Sequence, residues 1–219
     1  MIKSIKAWSY SRWSTFTQCP RKAKYLYIDK MYDPGSTAMD RGKTIHKILE
    51  TYIKTGGEVP DALKQIASEV IAARERDALS ELELAFFRGW EKCSWFDQEC
   101  WCRVKIDVVV FSKEGEKVTI IDLKTGKNKD YSKQLELYAL AALKGWPEIK
   151  EVTVGLWYSD SGDVLYKEFE RSADEERLTK YWEAEAAKLE NEEFFPTKTS
   201  PLCGWCHFRK SNKGACENG

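Results

Sequence analysis

The stretch CRVKIDVVVFSKEGEKVTIIDLKTGK, residues 102–127, decides how the rest of the chain is read. Cys102 to Phe111 is β-branched and partly alternating, Lys113 to Gly115 has turn composition, and Val118 to Leu123 is β-branched again. The segment therefore predicts two strands joined as a hairpin. A carboxylate interrupts each strand: Asp107 stands between KI and VVV, and Asp122 between VTII and LK. Aspartate is disfavoured inside a strand, and a carboxylate among apolar neighbours has to be paired, metal-bound or near the end of the sheet. On adjacent strands the two can point at one spot. Lys124 follows Asp122 by two residues and so shares its face of the strand. Two carboxylates and an ammonium group on one surface are the smallest set that holds a hard divalent cation, Mg²⁺ or Mn²⁺, and positions a water. The bland alternative for a lone D-x-K is a solvent-facing ion pair, and the second carboxylate counts against it.

Working outward, Ser9 to Tyr27 reads as a helix capped by Ser9 or Ser11, and Met39 to Tyr52 as a second one that ends at Gly56-Gly57. Asp61 to about Trp95, rich in Ala, Glu and Leu, reads as one or two further helices. Tyr131 to Leu143 is helical and closed by Trp146-Pro147; Val152 to Tyr158 and Val164 to Phe169 read as strands around the turn Ser159–Gly162. Asp174 to Leu189 is an amphipathic helix, and from Phe195 the chain is an aperiodic tail containing Pro, Gly and Cys. This order predicts an α/β fold, a mixed central sheet flanked by helices. The expected organisation is one domain over 1–219: a helical region 1–99, a sheet core 100–170, and a C-terminal helix and tail 171–219.

With 219 residues, 42% of them hydrophobic, the chain has material for a sizeable core. No apolar run reaches the ~18 residues that span a bilayer, and the N-terminus has neither an apolar signal core nor a cleavage site. A soluble, cytoplasmic protein without a membrane partner is expected. The charge balances at 35 basic and 35 acidic residues, which at face value argues against a nucleic-acid binder. The balance is uneven along the chain, however. Residues 1–54 carry 11 basic against 4 acidic groups, 103–150 carry 10 against 7, and 197–219 carry 4 against 1. Residues 58–99 carry 5 against 10 and 160–193 carry 5 against 12. Solvated helix faces explain such alternation; so does a basic cleft balanced by acidic outer helices.

Seven cysteines, at 19, 93, 100, 102, 203, 206 and 216, are an odd count in a chain with no export signal, which argues against a disulfide framework. Cys203 and Cys206, with Cys216 further on, have metal-ligand spacing in a tail with little other means of folding. Two residues are open as the fourth ligand. His207 would complete a Cys₃His zinc site, and Cys19 a four-thiolate set suited to zinc or iron–sulfur. Cys93, Cys100 and Cys102 read as ordinary buried thiols.

The motifs ID (106–107), IIDLKTGK (120–127) and QLELYAL (134–140) resemble those of the PD-(D/E)XK nucleases of the RecB type, which include CRISPR-associated RecB-like exonucleases. The resemblance implies a restriction-endonuclease-like core in which Asp107 and Asp122 carry the metal, Lys124 is the catalytic lysine, and Gln134 and Tyr138 form the helix motif after it. RGKTIHKILE (41–50) is similar to the family's upstream histidine segment, which implies His46 as a further metal ligand. FTQCPRKAKY (16–25) looks like the N-terminal segment of members with a [4Fe–4S] cluster, which implies Cys19, Cys203, Cys206 and Cys216 as its ligands. Lys105 stands before Ile106 where the family often has Gly-Arg. Glu99, upstream of Asp107, is a weaker candidate for an additional carboxylate.

The resemblance implies metal-dependent hydrolysis of DNA, with single strands or duplex ends as substrate and with recombination, repair or CRISPR adaptation as setting, there with protein partners. His46, Asp107, Asp122 and the Leu123 carbonyl would bind Mg²⁺ or Mn²⁺; Lys124 would position the water. Trp8, Tyr10, Arg12, Trp13, Arg21, Lys22 and Lys24 either stack and guide single-stranded DNA or belong to a helix with its aromatics packed inward. Two other classes compete: a DNA-binding subunit that has lost cleavage, and a zinc-stabilised interaction module.

Overall fold

A computed structural model describes residues 5, 7–126, 131–212 and 214–217; Lys127, the last residue of the motif quoted first, lies outside them. The chain forms two compact units, Ser36–Lys180 and the pairing of Met1–Gly35 with Tyr181–Gly219.

In the first unit, helix α3 (Thr37–Thr55) starts at Ser36, whose hydroxyl accepts from the Met39 N–H, and stops at Gly56, where φ is 73°. That left-handed turn is open to glycine at little cost, and the Gly56 N–H closes on the Tyr52 carbonyl. A 3₁₀ turn (Asp61–Ile66) and α4 (Ala67–Glu75) follow. The sheet has the order β1 (Leu79–Phe86), β2 (Cys102–Phe111), β3 (Lys117–Lys124), β4 (Glu151–Tyr158), β5 (Val164–Glu170). Every neighbouring pair is antiparallel except β3 and β4, which are parallel and joined through α5 (Ser132–Gly145), as a parallel pair requires a crossover. The expected mixed sheet flanked by helices is the fold observed.

Alternation on β3 explains how one strand serves both sides. Ile121 and Leu123 join Val108 and Val110 in a core with Ile45 and Leu49 of α3 and Val70 of α4. Asp122, between them, turns instead to Gln134 and Tyr138 of α5. Helix α5 is buried nearly throughout from Gln134 to Leu143, which accounts for its almost unbroken apolar sequence. Gly42 brings α3 close to the end of β3: a Cβ there would stand 3.4 Å from Thr125 Oγ1.

The region expected to be helical over 61–95 differs. Only Asp61–Glu75 is helical; Leu79–Phe86 is the edge strand β1, and 87–101 is a loop. LSELELAF consists of good helix formers, yet its charges and leucines also alternate with period two, and pairing with β2 decides the outcome.

The second unit interleaves the chain's two ends. The single helix expected over Ser9–Tyr27 is broken: α1 (Tyr10–Gln18) stops at Cys19, which is extended at φ −160°, before α2 (Pro20–Ala23) and a π turn over Lys24–Ile28. Proline at 20 disfavours helical backbone at the residue before it and pushes it toward the extended conformation seen at Cys19. Helix α6 (Arg171–Glu190) contributes its C-terminal half to this unit. Trp8 stacks on Trp182 at 5.6 Å and Trp13 meets it edge-on at 5.0 Å, while Trp13 Nε1 donates to Glu185 at 2.9 Å. Both indoles are thus buried, so the inward-packing reading holds for Trp8 and Trp13 and base stacking by them does not. The tail is pinned by the Arg21 N–H to the Pro196 carbonyl, by Tyr25 Oη to the Ala215 carbonyl, and by Tyr25 against Phe208. No helix among the described residues is long and apolar enough to cross a membrane.

Candidate functional site

The hairpin places its two carboxylates where the sheet comes apart. The last paired rung between β2 and β3 is Val108–Ile121, so Asp107 and Asp122 are the next residues on either side of the gap. On the other flank, β1 and β2 pair at Ser80–Val108 and at Leu82–Ile106, and the rung between them, Glu81 with Asp107, is absent. Glu81, Asp107 and Asp122 form one row across three strands at which regular pairing is interrupted. Glu81 has φ +56°, a left-handed conformation that costs a non-glycine residue ~1 kcal/mol and is typical of functional sites.

His46, one helical face away from the α3 core residues Ile45 and Leu49, reaches this row: its Nδ1 lies 2.9 Å from Asp107 Oδ1. The other Asp107 oxygen accepts from the Leu123 N–H at 2.7 Å, which fixes the carboxylate. One ligand atom from each of His46, Glu81 and Asp107 falls within 4.8 Å of the others. Burial disfavours the charged imidazole, but the hydrogen bond and charge of Asp107 outweigh it, and the His46 pKa is raised above 6.5. The Asp107 pKa is raised too, by burial first and by the nearby Asp122 charge, against the pull of His46.

Asp122 sits deeper, 4% exposed, in a separate set of bonds. Its Oδ1 accepts from Gln134 Nε2 at 2.7 Å and from Tyr138 Oη at 2.8 Å. Gln134 and Tyr138 are one helical turn apart on α5, which is why a Q-x-x-x-Y spacing delivers both to one oxygen. The Gln134 carbonyl oxygen accepts from Lys124 Nζ at 2.8 Å, and Lys124 also lies over the Tyr131 ring at 4.2 Å. Lys124 Nζ is 2.6 Å from Asp122 Oδ2, although that buried oxygen takes no aligned hydrogen bond. Burial pushes the Tyr138 hydroxyl well above its usual pKa, so it stays a donor. His46, Glu81, Lys105, Asp107, Asp122 and Tyr138 line one open cavity of about 660 Å³, rimmed by Lys43 and Lys47 of α3.

The sequence-expected His46, Asp107, Asp122, Lys124, Gln134 and Tyr138 are therefore brought together. Asp122 stands outside the tight trio of ligand atoms and belongs to the lysine's side of the site. Glu81 was not foreseen; Glu99, the weaker candidate, is exposed in the loop before β2 and takes no part in lining the cavity. The residues present fit a hard divalent cation: imidazole nitrogen, carboxylate oxygens, and a buried Asp122 oxygen left without an aligned donor.

In the other unit, Cys19, Cys203, Cys206 and Cys216 line a single pocket of about 180 Å³, with Arg21, Lys22 and Tyr25 beside them. His207, the rival fourth ligand, is exposed and is not part of that lining. The extended backbone at Cys19, favoured by Pro20, is what takes this thiol out of a helix.

Residues 7–211 match the sequence profile of the PD-(D/E)XK nuclease superfamily. The chain belongs to that superfamily. A candidate exonuclease from Eubacterium rectale is similar in structure, with TM-score 0.52 at 15% identity over 95% of this chain and 87% of that one. At that identity the likeness speaks for the fold alone. SSO0001 aligns with TM-score 0.47 at 16% identity, covering 95% of this chain and 86% of that one. An alkaline exonuclease from Laribacter hongkongensis aligns with TM-score 0.36 at 10% identity, covering 85% and 87%. No curated protein matches the chain.

Proposed function

We propose that this PD-(D/E)XK chain is a metal-dependent deoxyribonuclease of the RecB-like type, an exonuclease acting on single-stranded or frayed DNA ends in the cytoplasm. The observation that carries the reading is the row Glu81–Asp107–Asp122, which lines one cavity with His46, and Lys124 beside Asp122 at 2.6 Å. His46, Asp107 and Glu81 would hold Mg²⁺ or Mn²⁺, and Asp122 and the Leu123 carbonyl would be its further ligands. When bound, the metal lowers the pKa of water and offsets phosphate charge. In the hydrolysis, a water oxygen bonds to phosphorus, one phosphorus–oxygen ester bond breaks, the water's proton leaves to solvent and the departing oxygen is protonated. Lys124 holds the attacking water and balances the added negative charge. Gln134 and Tyr138 orient Lys124 and Asp122 and do not react. The lysines at the rim, Lys43 and Lys47, suit a phosphodiester backbone.

The same proposal takes the chain as one nuclease domain, 1–219, stapled by a [4Fe–4S] cluster on Cys19, Cys203, Cys206 and Cys216. That the four thiols line one pocket supports a shared site for them. Arg21 and Lys22 beside it would contact the strand. Recombination, repair or CRISPR adaptation is the setting such an enzyme fits, with protein partners drawn from it.

The test is digestion of labelled DNA with Mg²⁺ or Mn²⁺, using linear, end-blocked and circular substrates. The reading expects loss of linear DNA, protection of circles, and activity at least ~10²-fold lower in Asp122→Ala. Equal cleavage by parent and variant rejects the site; cleavage of circles rejects exonuclease action.

A further inference from the structure

Glu81 has two claims on it. Its carboxylate is within ligand distance of His46 and Asp107, and it is also ion-paired with Lys105. We propose that Lys105 is a contact for a substrate phosphate that Glu81 holds in reserve, and that commitment of Glu81 to the metal centre releases it, so that metal binding and nucleic-acid binding are coupled. This rests on the nuclease reading of the site above.

Placement supports it first. Lys105 lies two residues before Asp107 on β2, and the two alternate with buried Val104, Ile106 and Val108, so both side chains leave the apolar face. Lys105 lines the same cavity as His46, Asp107 and Asp122, and its side chain is 49% exposed, open to a ligand in that cavity. The residue directly across from Lys105 in the sheet register is Glu83. The ion pair nevertheless goes diagonally to Glu81, the residue with the left-handed backbone beside the missing rung. A carboxylate held in a costly conformation where it neutralises a lysine and faces two metal-ligand side chains is placed to change partners.

The electrostatics give the direction. Without a cation the cavity gathers Glu50, Glu81, Asp107 and Asp122, and Lys105 is spent on one of them. Lys105 Nζ is ion-paired with the Glu81 carboxylate, with Glu83 across from it in the sheet register and Glu50 in the same cavity. Once a dication shares the Glu81 charge, the attraction that retains Lys105 falls and the ammonium faces the phosphate the cation draws in.

The salt dependence of DNA binding reads this coupling. A labelled single-stranded oligonucleotide is titrated by fluorescence anisotropy in the Lys124→Ala background, so that the strand stays intact, with Mg²⁺ or with EDTA, over a range of salt. With Mg²⁺, Lys105→Gln is expected to flatten the slope of log affinity against log salt by about 0.7, the value of one lost single-strand phosphate contact. In EDTA the same substitution leaves the slope unchanged, while Glu81→Gln steepens it by the same amount, and the double variant cancels that gain. Lys105→Arg restores the Mg²⁺ slope. Equal effects of Lys105→Gln with and without Mg²⁺, or none in either, overturn the coupling. Calorimetry of Mg²⁺ with the parent chain separates the two readings: absence of both Mg²⁺ and DNA binding there rejects the nuclease reading itself and the coupling with it.

Discussion

Gln134 makes the tightest demands of any single residue in the site, because its amide serves Lys124, Asp122 and Tyr138 at once. Gln134→Ala leaves a buried carboxylate oxygen and a buried hydroxyl short of partners. It should lower stability by ~1–3 kcal/mol and also slow cleavage, since Lys124 loses its tether. Tyr138→Phe removes one of the two donors to Asp122 Oδ1 and should cost ~1 kcal/mol with a smaller loss of rate. Thermal unfolding and cleavage rates on the two variants check the order; a larger effect for Tyr138→Phe would contradict it. At this scale most of the site was legible. Asp107 and Asp122 declare themselves because a carboxylate in a β-branched run needs a reason, and Lys124 because it shares a strand face with Asp122. Glu81 was not legible: in LSELELAF a glutamate is unremarkable whether the segment is helix or edge strand, and only the missing rung and its φ of +56° mark it.

Among elements, the start of the loop after β3, Thr125–Gly126, is tied to α3 through Asp160 of the β4–β5 turn. Asp160 accepts from the Gly126 N–H at 2.8 Å and from Arg41 of α3 at 2.9 Å. The Arg41 hydrogen bond, helped by the Gly126 N–H and outweighing the opposing effect of burial, holds the Asp160 carboxyl below the usual aspartate value. A folded-state pKa below the unfolded one stabilises above the unfolded value and is lost as pH falls through the folded value. Asp160→Asn should therefore lower the melting temperature at neutral pH, by the equivalent of ~0.5–1 kcal/mol given its partial exposure. The gap between variant and parent should close below the carboxylate range. A gap that persists in acid would mean that the carboxylate's charge is not what ties the loop. The hairpin, α5 and the β4–β5 pair were readable from periodicity and turns. The edge strand β1 was not, because residues of high helix propensity were overridden by pairing with β2, and the kink at Cys19 depended on Pro20, whose effect a helix-long pattern conceals.

For the whole molecule, the zero net charge conceals a division of labour. The acidic stretches 58–99 and 160–193 include most of the outer helical and edge segments, while the basic stretches contain His46, the Asp107–Lys124 hairpin and the four cysteines that share a pocket. Glu81 is the exception, an acidic-stretch residue that enters the site through β1. The interleaving of the two chain ends around Cys19 and the tail leads to a further expectation. Anaerobically prepared protein should be brown with broad visible absorption and about four irons per chain, and Cys19→Ser should lose the colour and the iron. A colourless protein with stoichiometric zinc would contradict the cluster. The central claim, that the broken row of β1, β2 and β3 together with Lys124 is a hydrolytic metal site, is tested most directly by single-turnover cleavage of labelled linear DNA by Lys124→Ala, with Mn²⁺ affinity measured alongside by calorimetry. The account predicts a rate ~10²–10³-fold below the parent with Mn²⁺ affinity kept; cleavage at the parental rate would contradict it.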